Sequence, residues 1–182
     1  MYKLSDVFDK IVDHTIEVEG GFTLDPKDPG NYAMRDGVKV LVGTKYGISA
    51  KQYPHVDIKS MTKEGAQSIY KSDYWSSLES MLKKVWGNEL DSNQARSAAL
   101  MFDIAVNSGH KNMIRTIQIA GNIEVDGIYG SKTANALRNL DFNELCLARI
   151  AFYARLKIFN RYGRGWIMRT ITIQRKLKGL YK

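Results

Sequence analysis

Apolar residues recur along most of this chain at helical spacing. Phe8, Val12, Ile16 and Glu19 stand at i, i+4, i+8 and i+11, one face of a first helix over residues 4–19, with Ser5 as its expected N-cap. That face is apolar until its last member, which is a carboxylic acid. Gly20-Gly21 then stops the helix, because glycine adopts the left-handed conformation of a helix terminus without a side-chain clash. Residues 20–35 read as loop. Asp36-Gly37 is a turn signal, and Val38, Val40 and Val42 alternate with Lys39, Leu41 and Gly43. This predicts a short β-hairpin or ribbon, the one strand-like segment of the chain.

Thr62 caps a predicted helix reaching about Trp75, with Glu64 in its first turn and Ala66, Ile69 and Tyr70 facing inward. Ser92 caps the next, where Ala95, Ala98, Ala99, Phe102, Ala105 and Val106 form one stripe that ends at Gly109. Its small alanines let another helix approach closely, so it reads as the central buried helix. A helix over 111–120 stops at Gly121, Asp126-Gly127 makes a turn, and Ser131 starts a short helix with Ala134, Leu137 and Leu140 inward. Asp141 with Glu144 resembles a capping box for a long helix to about Asn160. Gly163 and Gly165 break that helix and Trp166 opens the last one. Its face of Ile167, Thr170, Ile171, Gln174 and Leu177 is apolar to neutral, while Arg169, Arg175, Lys176, Lys178 and Lys182 make a basic tail. The expected fold is mainly α, a helical bundle around a central buried helix, with at most a small β-hairpin near 36–44.

Composition narrows the picture. At 182 residues and 44% hydrophobic, the chain supports one core, or one core with a small appendage. No apolar run approaches the ~20 residues that cross a bilayer. The start Met1-Tyr2-Lys3-Leu4-Ser5-Asp6 lacks a signal-peptide apolar region, so synthesis in the cytoplasm is expected. A single cysteine, Cys146, excludes an internal disulfide and sits in an apolar helical pattern that suggests core packing. His14, His55 and His110 are scattered outside any His-Glu-x-x-His or Cys/His cluster, which argues against a zinc peptidase or amidase; no metal or cofactor is expected. The net charge of +8 favours polyanions: nucleic acid, anionic lipid or the acidic and phosphate-bearing polymers of a cell wall. The aromatics do not interleave with a basic run, so no specific nucleic-acid partner is expected.

The candidate chemistry lies where the first helix ends. An acid at the edge of an apolar face is partly desolvated, and the helix C-terminus and nearby Asp25 or Asp28 add negative potential, all disfavouring the charged form of Glu19. A protonated carboxyl beside a solvated carboxylate is the minimal apparatus of glycoside hydrolysis. The same residues also read as a surface Glu before an ordinary Gly-Gly stop. Tyr74 and Trp75 suit a sugar platform or core packing. Asp103 and Asn107, four apart at the end of the central helix, suit a cleft-facing pair or local capping.

Glu19-Gly20-Gly21-Phe22, Asp25-Pro26-x-Asp28-Pro29-Gly30 and Thr44-Lys45-Tyr46-Gly47-Ile48-Ser49 together resemble the signature of glycoside hydrolase family 108, peptidoglycan muramidases found among phage endolysins and related bacterial proteins. Ile69-Tyr70, Tyr74-Trp75, Phe102 to Gly109 and Gly165-Trp166-Ile167-Met168-Arg169 follow in the family's order. Gln118, Asp126-Gly127, Gly130 and Thr133 resemble a peptidoglycan-binding module. Glu19 and Asp28 keep the family spacing, but Asn31 to Gly43 intervene before Thr44.

The resemblance implies a lysozyme-like catalytic part over 1–109 and a peptidoglycan-binding-like helical part over 110–182 packed onto it as a single compact unit. It implies cleavage of the β-1,4 bond between N-acetylmuramic acid and N-acetylglucosamine. Glu19 would be the general acid, Asp28 the second group with Asp25 behind it, and Thr44 would position water. Tyr46, Asp103, Asn107, Gln118, Asp126 and Tyr129 would contact the substrate. The implied partners are the glycan strand and its stem peptide, with the basic C-terminus on an anionic envelope surface. A monomer is expected that reaches the periplasm through a holin or similar route. A lytic transglycosylase and a non-enzymatic wall-binding protein are the competing readings.

Overall fold

Helix α1 spans Leu4–Glu19, as its periodicity predicts, in a computed structural model that describes residues 1–182. Leu4, Val7, Phe8, Ile11, Val12 and Ile16 are buried. Ser5 is not its cap. It lies within the first turn and its hydroxyl donates to Asp6. The helix begins directly from strand β1 (Tyr2–Lys3), and the N–H of Leu4 donates to the carbonyl of Asn88 at 3.3 Å, so the chain itself meets one of the open N–H groups. The fold is mainly α, and its contacts divide it into two units: Asp9–Asp73, and Met1–Phe8 with Tyr74–Lys182.

In the Asp9–Asp73 unit, strands β2 (Tyr32–Arg35) and β3 (Val38–Leu41) form an antiparallel hairpin, with Tyr32 opposite Leu41 and Arg35 opposite Val38. Asp36 and Gly37 both have positive φ, 50° and 77°, the two-residue turn whose twist matches a hairpin. The hairpin starts at Tyr32, earlier than 36–44, because Tyr32-Ala33-Met34-Arg35 carries no clear alternation to announce it. It is also not the only strand pair. Strands β4 (Thr44–Lys45) and β5 (Ile48–Ser49) form a second, smaller hairpin. Helix α2 (Lys63–Tyr70) is capped by Thr62, whose Oγ1 accepts the N–H of Gly65 at 3.1 Å, and it buries Ala66 and Tyr70. Lys63 and Gln67 reach Asp13 of α1 at 3.0 and 2.8 Å.

The helix expected to stop near Trp75 continues. A π-helical turn over Lys71–Trp75 passes into α3 (Ser76–Trp86), because the first true stop is Gly87, at φ 83°. In the larger unit, strand β6 (Glu89–Leu90) pairs with β1. Helix α4 (Ser92–Ser108) is capped by Asp91 rather than Ser92: Asp91 Oδ1 accepts the Gln94 N–H at 2.8 Å and Gln94 Oε1 accepts the Asp91 N–H at 3.0 Å. This is the central helix, buried on nearly every side from Ala95 to Ala105. Around it lie α3, α5 (His110–Ala120), α7 (Phe142–Ala154) and α8 (Phe159–Leu180), while α6 (Ser131–Arg138) packs on α3 and α5.

Two boundaries among these differ from the sequence reading. Helix α7 ends at Ala154, not Asn160, and α8 runs straight through both glycines. A Cβ at Gly163 would stand 2.5 Å from the Phe159 ring, so glycine there admits the ring and does not break the helix. Helix α8 buries Thr170, Ile173 and Leu177, which leaves Arg175, Lys176 and Lys178 on its solvent side. Trp75 is 1% exposed and packs with Phe8 and Phe102 at ring-centroid distances of 5.4 and 6.0 Å. Trp75 is therefore core and not a sugar platform, while Tyr74 stacks on His110. Cys146 is buried, and burial pushes its thiol up to about 12.

Three of these helices meet at one charge. Asp103 of α4 is buried, with Oδ2 2.6 Å from Arg149 Nη1 of α7 and Oδ1 2.9 Å from Arg169 Nη2 of α8. Burial alone would raise its pKa, but Arg149 and then Arg169 outweigh burial and hold the carboxyl below the ordinary value of 3.8. A carboxylate held down in the folded state contributes its full stabilisation above the unfolded pKa. That contribution is lost as pH falls through the folded value. Asp103→Ala, which takes the carboxylate away from the wholly buried Arg149 guanidinium, should cost about 3–5 kcal/mol in urea unfolding near neutral pH. The difference between Asp103→Ala and the parent should shrink as pH falls below about 4.

Candidate active site

The end of α1 is set by backbone geometry. Gly20 has φ +78°, and its N–H closes the last turn on the carbonyl of Ile16 at 3.2 Å. The carbonyl of Gly20 accepts the N–H of Tyr46 at 3.1 Å. Thr23 and Thr44 then exchange both backbone bonds, at 2.8 and 3.0 Å. The segment leaving Glu19 is thus stitched to the Thr44–Tyr46 segment, although the two are well separated in sequence.

The β4–β5 turn completes the cluster. Tyr46 (φ 53°) and Gly47 (φ 77°) are both left-handed, as a two-residue hairpin turn requires, and Tyr46 is an uncommon residue for that conformation. Tyr70 Oη of α2 donates to the carbonyl of Tyr46 at 2.9 Å and fixes the turn. A Cβ on Gly47 would collide with that hydroxyl and would stand 3.0 Å from Glu19 Cγ. Gly47 therefore gives the turn its conformation and also brings it onto the side chain of Glu19. Glu19 is exposed at the helix tip and not half-buried as its face suggests, because the apolar stripe ends one turn earlier at Ile16.

The two aspartates are exposed and are each anchored by one oxygen. Asp25 Oδ1 accepts the Lys27 N–H at 2.9 Å. Asp28 Oδ1 accepts the Gly30 N–H at 2.8 Å and caps the short 3-10 turn Pro29–Asn31. Asn31 is wholly buried. Its Nδ2 donates to the Asp25 carbonyl at 3.0 Å, and its own carbonyl accepts the N–H groups of Val42 and Gly43 at 2.8 and 2.9 Å. These bonds close the base of the β2–β3 hairpin. The intervening segment thus projects from a pinched neck, and Thr44 returns to Thr23. At Gly43 (φ 110°) a Cβ would stand 2.6 Å from the Phe22 ring, so glycine is needed where the neck crosses that ring. Thr44 Oγ1 is shielded from solvent and has no hydrogen-bond partner.

The other expected contact residues lie in the larger unit. Asn107 is exposed, and its Nδ2 donates to the carbonyl and Oδ1 of Asp103 at 2.7 and 3.3 Å. Gln118 is 2% exposed and saturated: Nε2 reaches Asp126 Oδ1, the Ile128 carbonyl and Thr133 Oγ1 at 2.7–3.1 Å, and Oε1 accepts the Gly127 N–H at 2.9 Å. It clamps the Asp126-Gly127 turn between α5 and α6. The Ile128 N–H and then Gln118 hold Asp126 below the usual carboxylate range, and burial raises the phenol of Tyr129. No three His, Cys, Asp or Glu side chains converge to hold a metal ion.

The sequence reading missed Asn31, Tyr70 and Arg149 as organising residues. Arg149 had a signal, a lone charge within the apolar helical run Leu145 to Ala151, which must find a buried partner. Tyr70 read only as an inward-facing residue, since its partner is a backbone carbonyl 24 residues away, and Asn31 had no signal, since its bonds run to main-chain groups, which any residue carries.

The glycosyl hydrolase 108 family model matches residues 12–109, which contain the whole Glu19 cluster and α4. No curated protein sequence matches the chain. Among solved structures, that of Brucella abortus SagA is similar at 27% identity and a TM-score of 0.65, covering 96% of this chain and 95% of that one. With more than half of its length within the family model and the acid, glycine and threonine segments assembled in one unit, the chain belongs to the glycosyl hydrolase 108 family.

Proposed function

We propose that this glycoside hydrolase cleaves the β-1,4 bond between N-acetylmuramic acid and N-acetylglucosamine in peptidoglycan, with Glu19 as general acid. The observation that carries the proposal is the closure of the Tyr46-Gly47 turn onto the Glu19 side chain, which holds one carboxyl at the end of a rigid helix. Glu19 gives its proton to the glycosidic oxygen as the C1–O bond breaks. Water adds to C1, and its proton passes to a carboxylate, with Asp28 first and Asp25 second in line. Thr44 Oγ1, dry and unpartnered, is the hydroxyl best suited to hold that water. Residues 110–182 serve to hold the wall, and the exposed Arg175, Lys176 and Lys178 draw the protein towards anionic envelope polymers. The monomer acts on the wall from the periplasm.

Glu19→Gln keeps the shape of the side chain but has no proton to deliver. It should lower wall digestion by about 10²–10⁴-fold with an unchanged melting temperature. Glu17→Gln is the control. Glu17 sits two residues away, about 200° round the helix, and is exposed, so digestion should stay near the parent level. Mass analysis of the products reports the reaction type: hydrolysis adds one water per cut, and anhydro products would identify a transglycosylase instead. A folded Glu19→Gln protein that digests wall normally would end the assignment.

Gly47→Ala places a Cβ on a left-handed residue that already touches Glu19 and Tyr70. It should lower stability by about 1–2 kcal/mol and lower digestion more than tenfold, because the turn must move away from the acid. Thermal unfolding and wall digestion of the one variant check both parts.

A further inference from the structure

The Asp9–Asp73 unit carries a groove that the hydrolytic chemistry leaves unused. Its volume is about 740 Å³, within the ~300–1,000 Å³ of cavities that hold small ligands. One wall is the β2–β3 hairpin, the segment that intervenes before Thr44, so the groove is a feature that this chain adds to the sequence pattern. The other wall is the loop over 54–59.

Both walls are fixed. Asn31 ties off the base of the hairpin with its bonds to Val42 and Gly43. Lys45 Nζ of β4 donates to the carbonyl of Lys59 at 3.2 Å, and Ile58, inside the loop, is wholly buried. Lys45 immediately precedes the Tyr46-Gly47 turn that is seated on Glu19. One strand thus holds both the loop wall of the groove and the turn beside the acid. A groove formed in advance spares its ligand the cost of ordering the walls.

The lining carries both signs of charge. The hairpin register puts Arg35 and Val40 on the face of Ala33, which is 1% exposed, and Asp36 follows in the turn. On the loop wall stand Asp57 and Lys59, beside His55. Asp57 Oδ1 accepts the Ser60 N–H at 3.3 Å. Ser60, and after it Arg35, holds the Asp57 carboxyl below its ordinary value, so it is ionised at neutral pH. Each wall therefore bears one cation and one carboxylate, with Val40 and Pro54 as apolar surface. A polyanion would be drawn by Arg35 and Lys59 and repelled by Asp36 and Asp57. A neutral glycan would use none of these charges. The lining matches a short peptide with small apolar side chains, free carboxylates and an amino group. The peptide stem of peptidoglycan, built from alanine, a glutamyl residue and a diamino acid, has that chemistry.

We propose that this groove binds the peptide stem of the wall polymer, with Arg35 meeting a stem carboxylate and Asp57 the amino group of the diamino acid. The inference rests on the peptidoglycan reading above. It gives the hairpin a task, a second grip on the substrate that separates peptide-bearing from bare glycan.

Calorimetry on the Glu19→Gln protein, which leaves ligands uncut, measures binding of three probes. They are a muramyl disaccharide carrying its stem peptide, the same probe with its amino group acetylated, and the disaccharide freed of peptide. The peptide-bearing probe should bind about tenfold more tightly than the bare one. Arg35→Gln and Asp57→Asn, each added singly, should remove most of that difference. Both positions are exposed, and asparagine keeps an acceptor for the Ser60 N–H, so melting temperatures should be unchanged. Acetylation should weaken binding without any variant, and should add nothing in Asp57→Asn, where the partner of the amino group is already gone. Lys39→Gln is the control: Lys39 lies over the Tyr32 ring, 4.1 Å from its centroid, on the other hairpin face, and the tenfold preference should persist there. The proposal is overturned if the peptide gives no preference, if acetylation has no effect, if the preference survives either Arg35→Gln or Asp57→Asn, or if Lys39→Gln loses it equally. Wall left uncut by the parent protein while the peptide preference persists would sink the hydrolase reading and keep the groove. Normal wall digestion without any peptide preference would do the reverse.

Discussion

The larger unit depends on one buried carboxylate. Asp103 lies on α4, Arg149 on α7 and Arg169 on α8, so a single charge fixes the rotation of three helices about their axes. An apolar stripe alone tolerates a helix turning or sliding by a fraction of a residue, because dispersion contacts are non-directional. An ion pair at 2.6–2.9 Å in a dry interior does not. Arg149 passes the constraint on through Tyr153, which stacks on Trp166 in the first half of α8. The stacking of Tyr153 on Trp166 is therefore held by the same charge.

The smaller unit uses a different device. Its candidate acid is positioned almost wholly by main-chain bonds: the Ile16–Gly20 closure, the Gly20–Tyr46 bond and the Thr23–Thr44 pair. Backbone bonds have fixed lengths and no rotamers, so they place neighbouring side chains more narrowly than packing does. Three left-handed residues, Gly20, Tyr46 and Gly47, make the path possible. The β2–β3 hairpin enters this arrangement without disturbing it, because Asn31 ties off its base with bonds to Val42 and Gly43. An insertion held at a closed neck adds surface without changing the distance its flanks must span.

A similar economy of polar groups appears at Gln118, where one buried amide uses all its donors and acceptor to fix the Asp126-Gly127 turn. Buried amides of this kind specify a turn conformation, since any other arrangement would strand a donor in an apolar interior. The residues expected on the substrate in this stretch, Gln118 and Asp126, are bonded to each other, which accounts for their pairing in the sequence.

Much of the fold was legible because local physics decides it. The range of α1, the buried alanine stripe of α4, the Thr62 cap and the Asp36-Gly37 turn follow from periodicity, capping and left-handed preference, all within a few residues. The same holds for Glu19, whose place at the end of an apolar face is written in the spacing from Phe8. Boundaries failed where a second signal a few residues away outweighed the one read. Gly163 read as a breaker, yet it lies inside α8 because the Phe159 ring needs its missing Cβ. Ser92 read as a cap, yet the Asp91–Gln94 box is the stronger one. The seating of the Tyr46-Gly47 turn on Glu19, the return of Thr44 to Thr23 across the hairpin and the sharing of Asp103 by two arginines were decided by tertiary structure alone. Each depends on groups far apart in the chain, and sequence spacing carries no information about which of them will meet.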